Sequence, residues 1–282
     1  MDDATKARLR LYLRGERALG LSSVPTGNSA AVEQSRPEPP QPILPVKSPV
    51  QSQARTNLFG SEPEAQSLAA EGLSPMPTVP SFSAPALSTD EKKHRLAAMN
   101  ESEVRGCTKC RLCEQRTHTV FGEGDVDAKI FFIGEGPGET EDRTGRPFVG
   151  RAGELLNKMT AGMGLKREQV YIANIVKCRP PGNRVPAPDE VATCTPYLER
   201  QLEIIRPRAI VTLGLPATQY MLQTKTSMGR LRGQWHKWRD IKLMPTYHPA
   251  YVLRNPTYET RAAVWSDLKQ VLTELGMPVP QK

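Results

Sequence analysis

Five cysteines stand in this chain, and their placement constrains its fold more than any other feature. None occurs in the first 106 residues; Cys107, Cys110 and Cys113 then follow in the run Cys-Thr-Lys-Cys-Arg-Leu-Cys, with Cys178 and Cys194 far downstream. A Cys-x2-Cys pair joined by two distant cysteines is the ligand supply for a tetrathiolate centre, either zinc or iron–sulfur. The stretches around Cys178 (Val-Lys-Cys-Arg-Pro-Pro-Gly-Asn-Arg) and Cys194 (Glu-Val-Ala-Thr-Cys-Thr) are too unlike the first to be a second knuckle. One metal centre is therefore expected to staple two distant parts of a single domain. An odd cysteine count with no apolar signal segment ahead of it argues against a secreted disulfide framework. Taken alone, Cys194 would read as a small core residue in register with Val191, Leu198, Leu202 and Ile205, and Cys113 as an idle thiol.

Composition divides the chain. Residues 22–90 hold 12 of the 26 prolines and 12 serines with hardly any aromatic residue. Such a stretch buries too little apolar surface to offset its ordering entropy, so residues 22–92 are expected to be a disordered linker. Residues 1–21, with Leu9, Leu13, Leu19 and several arginines, read either as a short basic amphipathic helix for a protein partner or as a frayed terminus. Leu58-Phe59 faintly resembles a sliding-clamp docking peptide that lacks its leading glutamine. The domain expected over residues 93–282 is basic: residues 91–282 carry 30 Lys+Arg against 21 Asp+Glu, whereas residues 1–90 carry 8 against 9. A basic globular domain favours a polyanionic partner, although a solvated surface also accumulates such charge. No apolar run is long enough to span a membrane.

Within this part, short apolar runs alternate with amphipathic segments. Residues 129–134, 170–176 and 209–213 read as strands, with 233–238 and 241–245 as a hairpin or last pair of strands. Residues 153–163, 189–205, a stretch from Pro216, and 258–275 read as helices. The alternation argues for an α/β sandwich around a mostly parallel sheet, whose ligand sits beyond the carboxyl ends of the strands. The unusual residues fall there. After the first strand comes Gly-Glu-Gly-Pro-Gly-Glu-Thr-Glu-Asp-Arg-Thr-Gly-Arg-Pro-Phe-Val-Gly over residues 134–150, which is neither a Walker P-loop nor a dinucleotide fingerprint. Asn174 and Cys-Arg-Pro-Pro-Gly-Asn follow the second strand, and Tyr-His-Pro-Ala-Tyr-Val-Leu-Arg-Asn-Pro the last.

Gly-Glu-Gly-Pro-Gly-Glu, Gly-Arg-Pro-Phe-Val-Gly, Asn-Ile-Val-Lys-Cys-Arg-Pro-Pro-Gly-Asn-Arg and His-Pro-Ala-Tyr, in this order, together resemble a family 4 uracil-DNA glycosylase over roughly residues 100–275. The resemblance implies a three-layer α/β/α sandwich with a four-stranded, mostly parallel sheet. It implies a [4Fe–4S] cluster on Cys107, Cys110, Cys178 and Cys194, with Cys113 outside it. It also implies a bacterial or archaeal, cytoplasmic, nucleoid-associated monomer that acts on uracil-containing DNA and leaves an abasic site for base excision repair.

Residue chemistry agrees with that reading. An enzyme that cleaves a base must first take the nucleotide out of the stack and hold it in a pocket. Phe148, on a glycine-flanked loop beside Gly136 and its neighbours, offers a flat face to a pyrimidine, or else is a core phenylalanine. Asn174 presents an amide that matches O4 and N3–H of uracil and mismatches cytosine, or else caps the turn after its strand. His248 is suited to donate to uracil O2 as charge builds on the leaving base; an isolated histidine is more often structural, and the motif reverses that preference. The best-known branch of the superfamily places an aspartate water activator where this chain has Gly136. The resemblance marks Glu135 and Glu141 as the functional carboxylates instead, and Asn183 is a further candidate for positioning water or substrate. Glu139, Glu141 and Asp142 read alternatively as a solvated acidic loop. Leu253 is a candidate wedge for the space left by the extruded base, and Arg254 a groove or phosphate contact. Arg179 and Gly-Arg-Pro sit on backbone suited to lie near phosphates.

Two other classes of function compete with this reading. A uracil-DNA binding protein that traps its substrate would carry a basic, His-containing insertion after the Phe loop, whereas here Gly-Arg-Ala-Gly-Glu-Leu-Leu runs straight into a helix. A redox or zinc protein without glycosylase activity would use the cysteines alone.

Overall fold

The computed structural model describes residues 85–281. The readings made on residues 1–84, the basic helix and the Leu58-Phe59 peptide among them, lie outside the described residues.

Helix α1, Thr89–Met99, is opened by Ser88, whose Oγ accepts from the Glu91 N–H at 3.3 Å, with Asp90 and Glu91 in its first turn. Leu96 and Met99 enter the core, and the buried Lys92 pairs with Asp127 at 2.8 Å and donates to the Ile205 carbonyl at 3.1 Å. The expected boundary between linker and domain at residues 92 and 93 thus falls inside a packed helix. Composition averaged over a long window concealed a cap-and-acidic-turn signal only a few residues wide.

The elements that follow are β1 (Glu123–Gly124), β2 (Ile130–Gly134), α2 (Glu139–Thr144), α3 (Arg151–Gly162), β3 (Tyr171–Asn174), α4 (Pro188–Ile205) and β4 (Ala209–Leu213). Then come α5 (Leu215–Leu222), α6 (Met228–Leu231), β5 (His236–Trp238), β6 (Ile241–Thr246), α7 (Pro249–Arg254) and α8 (Tyr258–Glu274). They build one mixed sheet of six strands in the order β1-β3-β2-β4-β6-β5. The expected four parallel strands form its centre, β3-β2-β4-β6, and the correction lies at the margins, where β1 and β5 add antiparallel edges. Two residues of strand around a glycine leave no periodic signal to read.

The central strands are apolar on both faces because both faces are covered. In β2, Phe131 and Ile133 pack with Leu198 and Leu202 of α4, while Ile130 and Phe132 pack with Leu156 of α3 and Leu268 and Leu272 of α8. Helices therefore lie on both sides of the sheet in three layers. The chain leaves β2 for β3 on one side, then crosses back to β4 and β6 on the other. The topological switch point accordingly lies at the carboxyl ends of β2 and β4, where a crevice opens. Among the described residues no helix is long and apolar enough to cross a membrane.

Candidate active site and cysteine centre

Register brings the strand ends together: Gly134 of β2 lies opposite Asn174 of β3, and Leu213 of β4 opposite Thr246 of β6. The loops that follow enclose a cleft of about 820 Å³ whose walls include Glu135, Gly136, Phe148, Asn174, Tyr251 and His248. A lone base would not fill that volume, and a nucleotide with its backbone has room to enter.

Phe148 is held by its loop rather than by its own preference. Its φ is 49°, in the left-handed region that a bulky residue avoids, so its surroundings must impose it. Glu141 of α2 supplies one restraint: its Oε1 accepts from the N–H groups of Val149 and Gly150, both at 2.8 Å. Arg167 supplies another, donating to the carbonyls of Phe148 (3.0 Å) and Pro147 while paired with Glu123 at 2.7 Å. Only 5 % of Phe148 is exposed, and its ring meets that of His248 at 5.6 Å between centroids, tilted 34°. Gly134 makes this closeness possible: a Cβ there would stand 2.4 Å from Asn174 Oδ1 and 2.6 Å from Phe148 Cζ.

Asn174 is 1 % exposed, and its Oδ1 is buried with no hydrogen-bond partner among the described residues. Buried polar atoms are paired in the great majority of cases, so an orphan acceptor in a cleft wall is a place for a ligand donor. His248 caps α7, its Nδ1 accepting from the Ala250 N–H at 3.0 Å. That bond leaves the proton of the neutral ring on Nε2. Burial, helped by the nearby Arg254, pushes the pKa of His248 down to about 4. At neutral pH it is therefore an uncharged Nε2–H donor.

The remaining sequence candidates occupy graded positions. Glu135 lines the cleft, and burial raises its pKa. Gly136 lines it with its α-carbon against Val176, where a Cβ would approach to 2.9 Å. Asn183 is exposed at the rim, with its Oδ1 accepting from Arg179 Nε at 2.7 Å, and Arg179 also reaches Glu139 at 3.7 Å. Arg254 stands on the rim. Leu253 is 39 % exposed on α7 and faces a neighbouring groove beside α3 and α8 rather than the cleft. The acidic loop is not solvated throughout: Asp142 is buried and accepts from the Thr117 N–H at 2.9 and 3.1 Å.

The cysteines gather on the α1–α4 face of the sheet. Cys107, Cys110, Cys178 and Cys194 ring a small cavity with Lys177, Arg116 and Tyr197, and Cys113 stands outside it. Among the described residues no three acidic, thiol or imidazole groups close on a single metal ion. The sulfurs are nonetheless dressed as thiolates would be. Lys177 N–H donates to Cys194 Sγ at 3.2 Å and Arg116 Nη1 to Cys178 Sγ at 3.2 Å. As free thiols three of them are held protonated: burial pushes Cys194 up to about 12 and raises Cys178 and Cys110. Four sulfurs around one cavity, two of them buried and met by N–H donors, fit a group that delivers positive charge among them.

The uracil DNA glycosylase superfamily model matches residues 121–269, which spans both the cleft and its loops. The chain belongs to that superfamily. It is similar to the Type-4 uracil-DNA glycosylase of Thermotoga maritima, 47 % identical over 180 residues, covering 63 % of this chain and 94 % of that protein. It is also similar to the Type-4 enzyme of Saccharolobus solfataricus, 50 % identical over 183 residues, covering 62 % and 84 %. The Type-5 uracil-DNA glycosylase of Pyrobaculum aerophilum is more distant, at 33 % over 161 residues, covering 50 % and 71 %.

Several residues that shape this superfamily site carried no sequence signal of their own. Arg167 holds the Phe148 loop and had no motif to mark it, and Gly134, although it opens the first motif, gave no sign that it makes room for Phe148 and Asn174. Asp267 is fully buried, accepts from Thr246 Oγ1 at 2.7 Å and pairs with Arg232 at 2.6 Å, while Arg232 lies 5.3 Å over the ring of Tyr247. Together they brace the turn that presents His248. Glu190 is fully buried and gathers Arg184 (2.6 Å), Arg111 (2.7 Å) and the Ala187 N–H (2.7 Å). It joins the cysteine knuckle to the rim loop of Asn183.

Proposed function

We propose that this uracil-DNA glycosylase is monofunctional: it draws uracil out of DNA, hydrolyses its N-glycosidic bond and leaves an abasic site for base excision repair in the cytoplasm of a bacterium or archaeon. The observation that carries this reading is the orphan Oδ1 of Asn174 beside the Phe148–His248 pair in the cleft of a chain of this superfamily. Phe148 stacks on the extruded base. Asn174 accepts from N3–H and donates to O4, a pairing that cytosine reverses. His248, neutral and protonated on Nε2, donates to O2 as the bond breaks and negative charge collects on the base; one such placed donor contributes about 10²–10³ in rate. Glu135 is the carboxylate assigned to water and to the developing oxocarbenium charge. Glu141 acts chiefly by holding the Phe148 loop, and Asn183 by ordering Arg179 at the rim. Gly136 lets the backbone approach the base. Arg254, on the rim, contacts the backbone, and the exposed Leu253 beside it, outside the cleft, is the wedge assigned to the vacated stack.

Cys107, Cys110, Cys178 and Cys194 are assigned to a [4Fe–4S] cluster, with Cys113 left free. The cluster supplies a cross-link between the knuckle, the turn after β3 and α4; hydrolysis of an N-glycosidic bond transfers no electron and asks nothing more of it. The trapping alternative is disfavoured because α3 begins at Arg151, directly after the Phe148 loop, with no insertion to carry a trapping histidine.

The test is incubation with a single- or double-stranded uracil oligonucleotide, alkali cleavage of abasic sites and a denaturing gel. Wild type should release uracil. Asn174→Asp should lose most of that activity and gain a trace on cytosine, whereas His248→Ala should slow cleavage without changing base preference. Full uracil activity in Asn174→Asp would remove Asn174 from the base edge.

A further inference from the structure

Lys177 is a lysine with 1 % exposure, buried at the junction between the cysteine centre and the cleft. Its Nζ donates to the Asn174 carbonyl at 3.0 Å and to Gln201 Oε1 at 2.6 Å, and lies 6.0 Å over the Phe121 ring. No carboxylate of a described residue pairs with it: both acceptors are neutral. An ammonium buried under those terms is costly unless net negative charge lies close by. The nearest source is the cysteine set. Lys177 lines the same cavity as Cys107, Cys110, Cys178 and Cys194, and its own N–H bonds to Cys194 Sγ at 3.2 Å. Four thiolates around an iron–sulfur cube carry net negative charge, to which the half-buried Arg116 also donates at Cys178. The same ammonium folds back three residues to fix the backbone of Asn174 at the end of β3.

We propose that Lys177 is a positioning residue that serves both sites at once: its ammonium is the internal countercharge of the thiolate cluster, and through the Asn174 carbonyl it fixes the base-reading amide. Cluster loading and base reading are thereby coupled through one side chain. The proposal rests on the reading above that the four cysteines hold a cluster and that Asn174 reads the base.

The test compares full-length, cluster-loaded wild type with Lys177→Met and Gln201→Glu. Iron content, the midpoint potential of the cluster, the rate of iron loss to a chelator, and kcat and KM on a uracil oligonucleotide are measured. Removing a nearby cation makes the cluster harder to reduce, so Lys177→Met should shift the potential to more negative values. Iron should also be lost faster, through the missing countercharge alone, since the backbone N–H bond to Cys194 Sγ is kept. The uracil kcat/KM should also fall by about tenfold or more, chiefly through KM because the slack is in base binding. Gln201→Glu keeps the bond to Nζ while cancelling its charge; it should shift the potential in the same direction, and it carries the test if Lys177→Met does not fold. An iron-loaded Lys177→Met, or Gln201→Glu in its place, with wild-type potential overturns the countercharge. A Lys177→Met protein with wild-type kcat and KM overturns the positioning role. A wild type without iron, or inactive on uracil, would instead sink the reading on which the proposal stands.

Discussion

Adding one methyl group at Gly134 should disable the cleft while sparing the fold. Gly134 ends β2, and an alanine Cβ there would lie 2.4 Å from Asn174 Oδ1 and 2.6 Å from Phe148 Cζ. Both separations are about 1 Å short of ordinary van der Waals contact, so the two groups assigned to the base must each retreat by about that much. Neither can do so freely. Phe148 is held through its backbone by Glu141 and Arg167, and Asn174 by the sheet and by Lys177. Overpacking of this kind costs about 1–3 kcal/mol of stability, or roughly 2–4 °C in Tm for each kcal/mol in a domain of this size. A displacement of about 1 Å at the reacting groups costs about 10² in rate. Gly134→Ala should therefore fold, melt several degrees lower and lose about two orders of magnitude in kcat/KM on a uracil oligonucleotide. Gly162→Ala is the control, since its Cβ would meet Trp265 at an ordinary 3.7 Å at the end of α3. Melting curves and steady-state kinetics on both variants decide the matter. A Gly134→Ala enzyme with wild-type kcat/KM would show that Phe148 and Asn174 do not define the base site.

Three further outcomes are expected. His248, with its pKa pushed down to about 4, should give no rate inflection near 6.5, the ordinary histidine value. Stability tied to its neutral form is complete above 6.5 and is lost as pH falls through about 4; a single-turnover profile with an inflection near 6.5, absent in His248→Ala, would contradict this. Glu190 is held down to about 2, first by its bond to Arg184, so its contribution to stability is full above the ordinary 4.5 and disappears as pH falls through about 2. The gap in unfolding free energy between wild type and Glu190→Gln should thus shrink from pH 4.5 towards pH 2, and a gap independent of acid would disprove the linkage. Cys178→Ser and Cys194→Ser should lose iron, colour and stability, because the centre joins distant segments, while Cys113→Ser keeps all three. Iron retained by Cys194→Ser and lost by Cys113→Ser would reassign the ligands.

Much of the fold was legible in residue order. The strand at residues 209–213 falls where its apolar run lies, and the helices after residues 150, 187 and 257 begin within about two residues of their periodic signals. These elements were readable because burial on one helical face, or on both sheet faces, writes itself as a period. The edge strand β1, the short α2 and the cap of α1 were not, since each spans too few residues to repeat a pattern. Among the candidate site residues, Phe148, Asn174 and His248, which stand in dense motifs, line one cleft. Glu141 stood out in the sequence as a candidate carboxylate, but its commitment to the Val149 and Gly150 N–H groups did not, because a bond across a loop depends on where the loop folds.

The chain's sequence alone determined the class of architecture and supplied the candidate sulfurs and cleft residues, because periodicity marks buried elements and the motifs carry the resemblance to a family. Only the tertiary structure decided the strand order that sets the crevice at the ends of β2 and β4. Only it decided, too, that Gly134 gives Phe148 and Asn174 their closeness, and that Lys177 meets Cys194 through its backbone N–H while its buried ammonium holds the Asn174 carbonyl. Those relations join separate strands, loops and helices, and no local property of either segment encodes the distance between them.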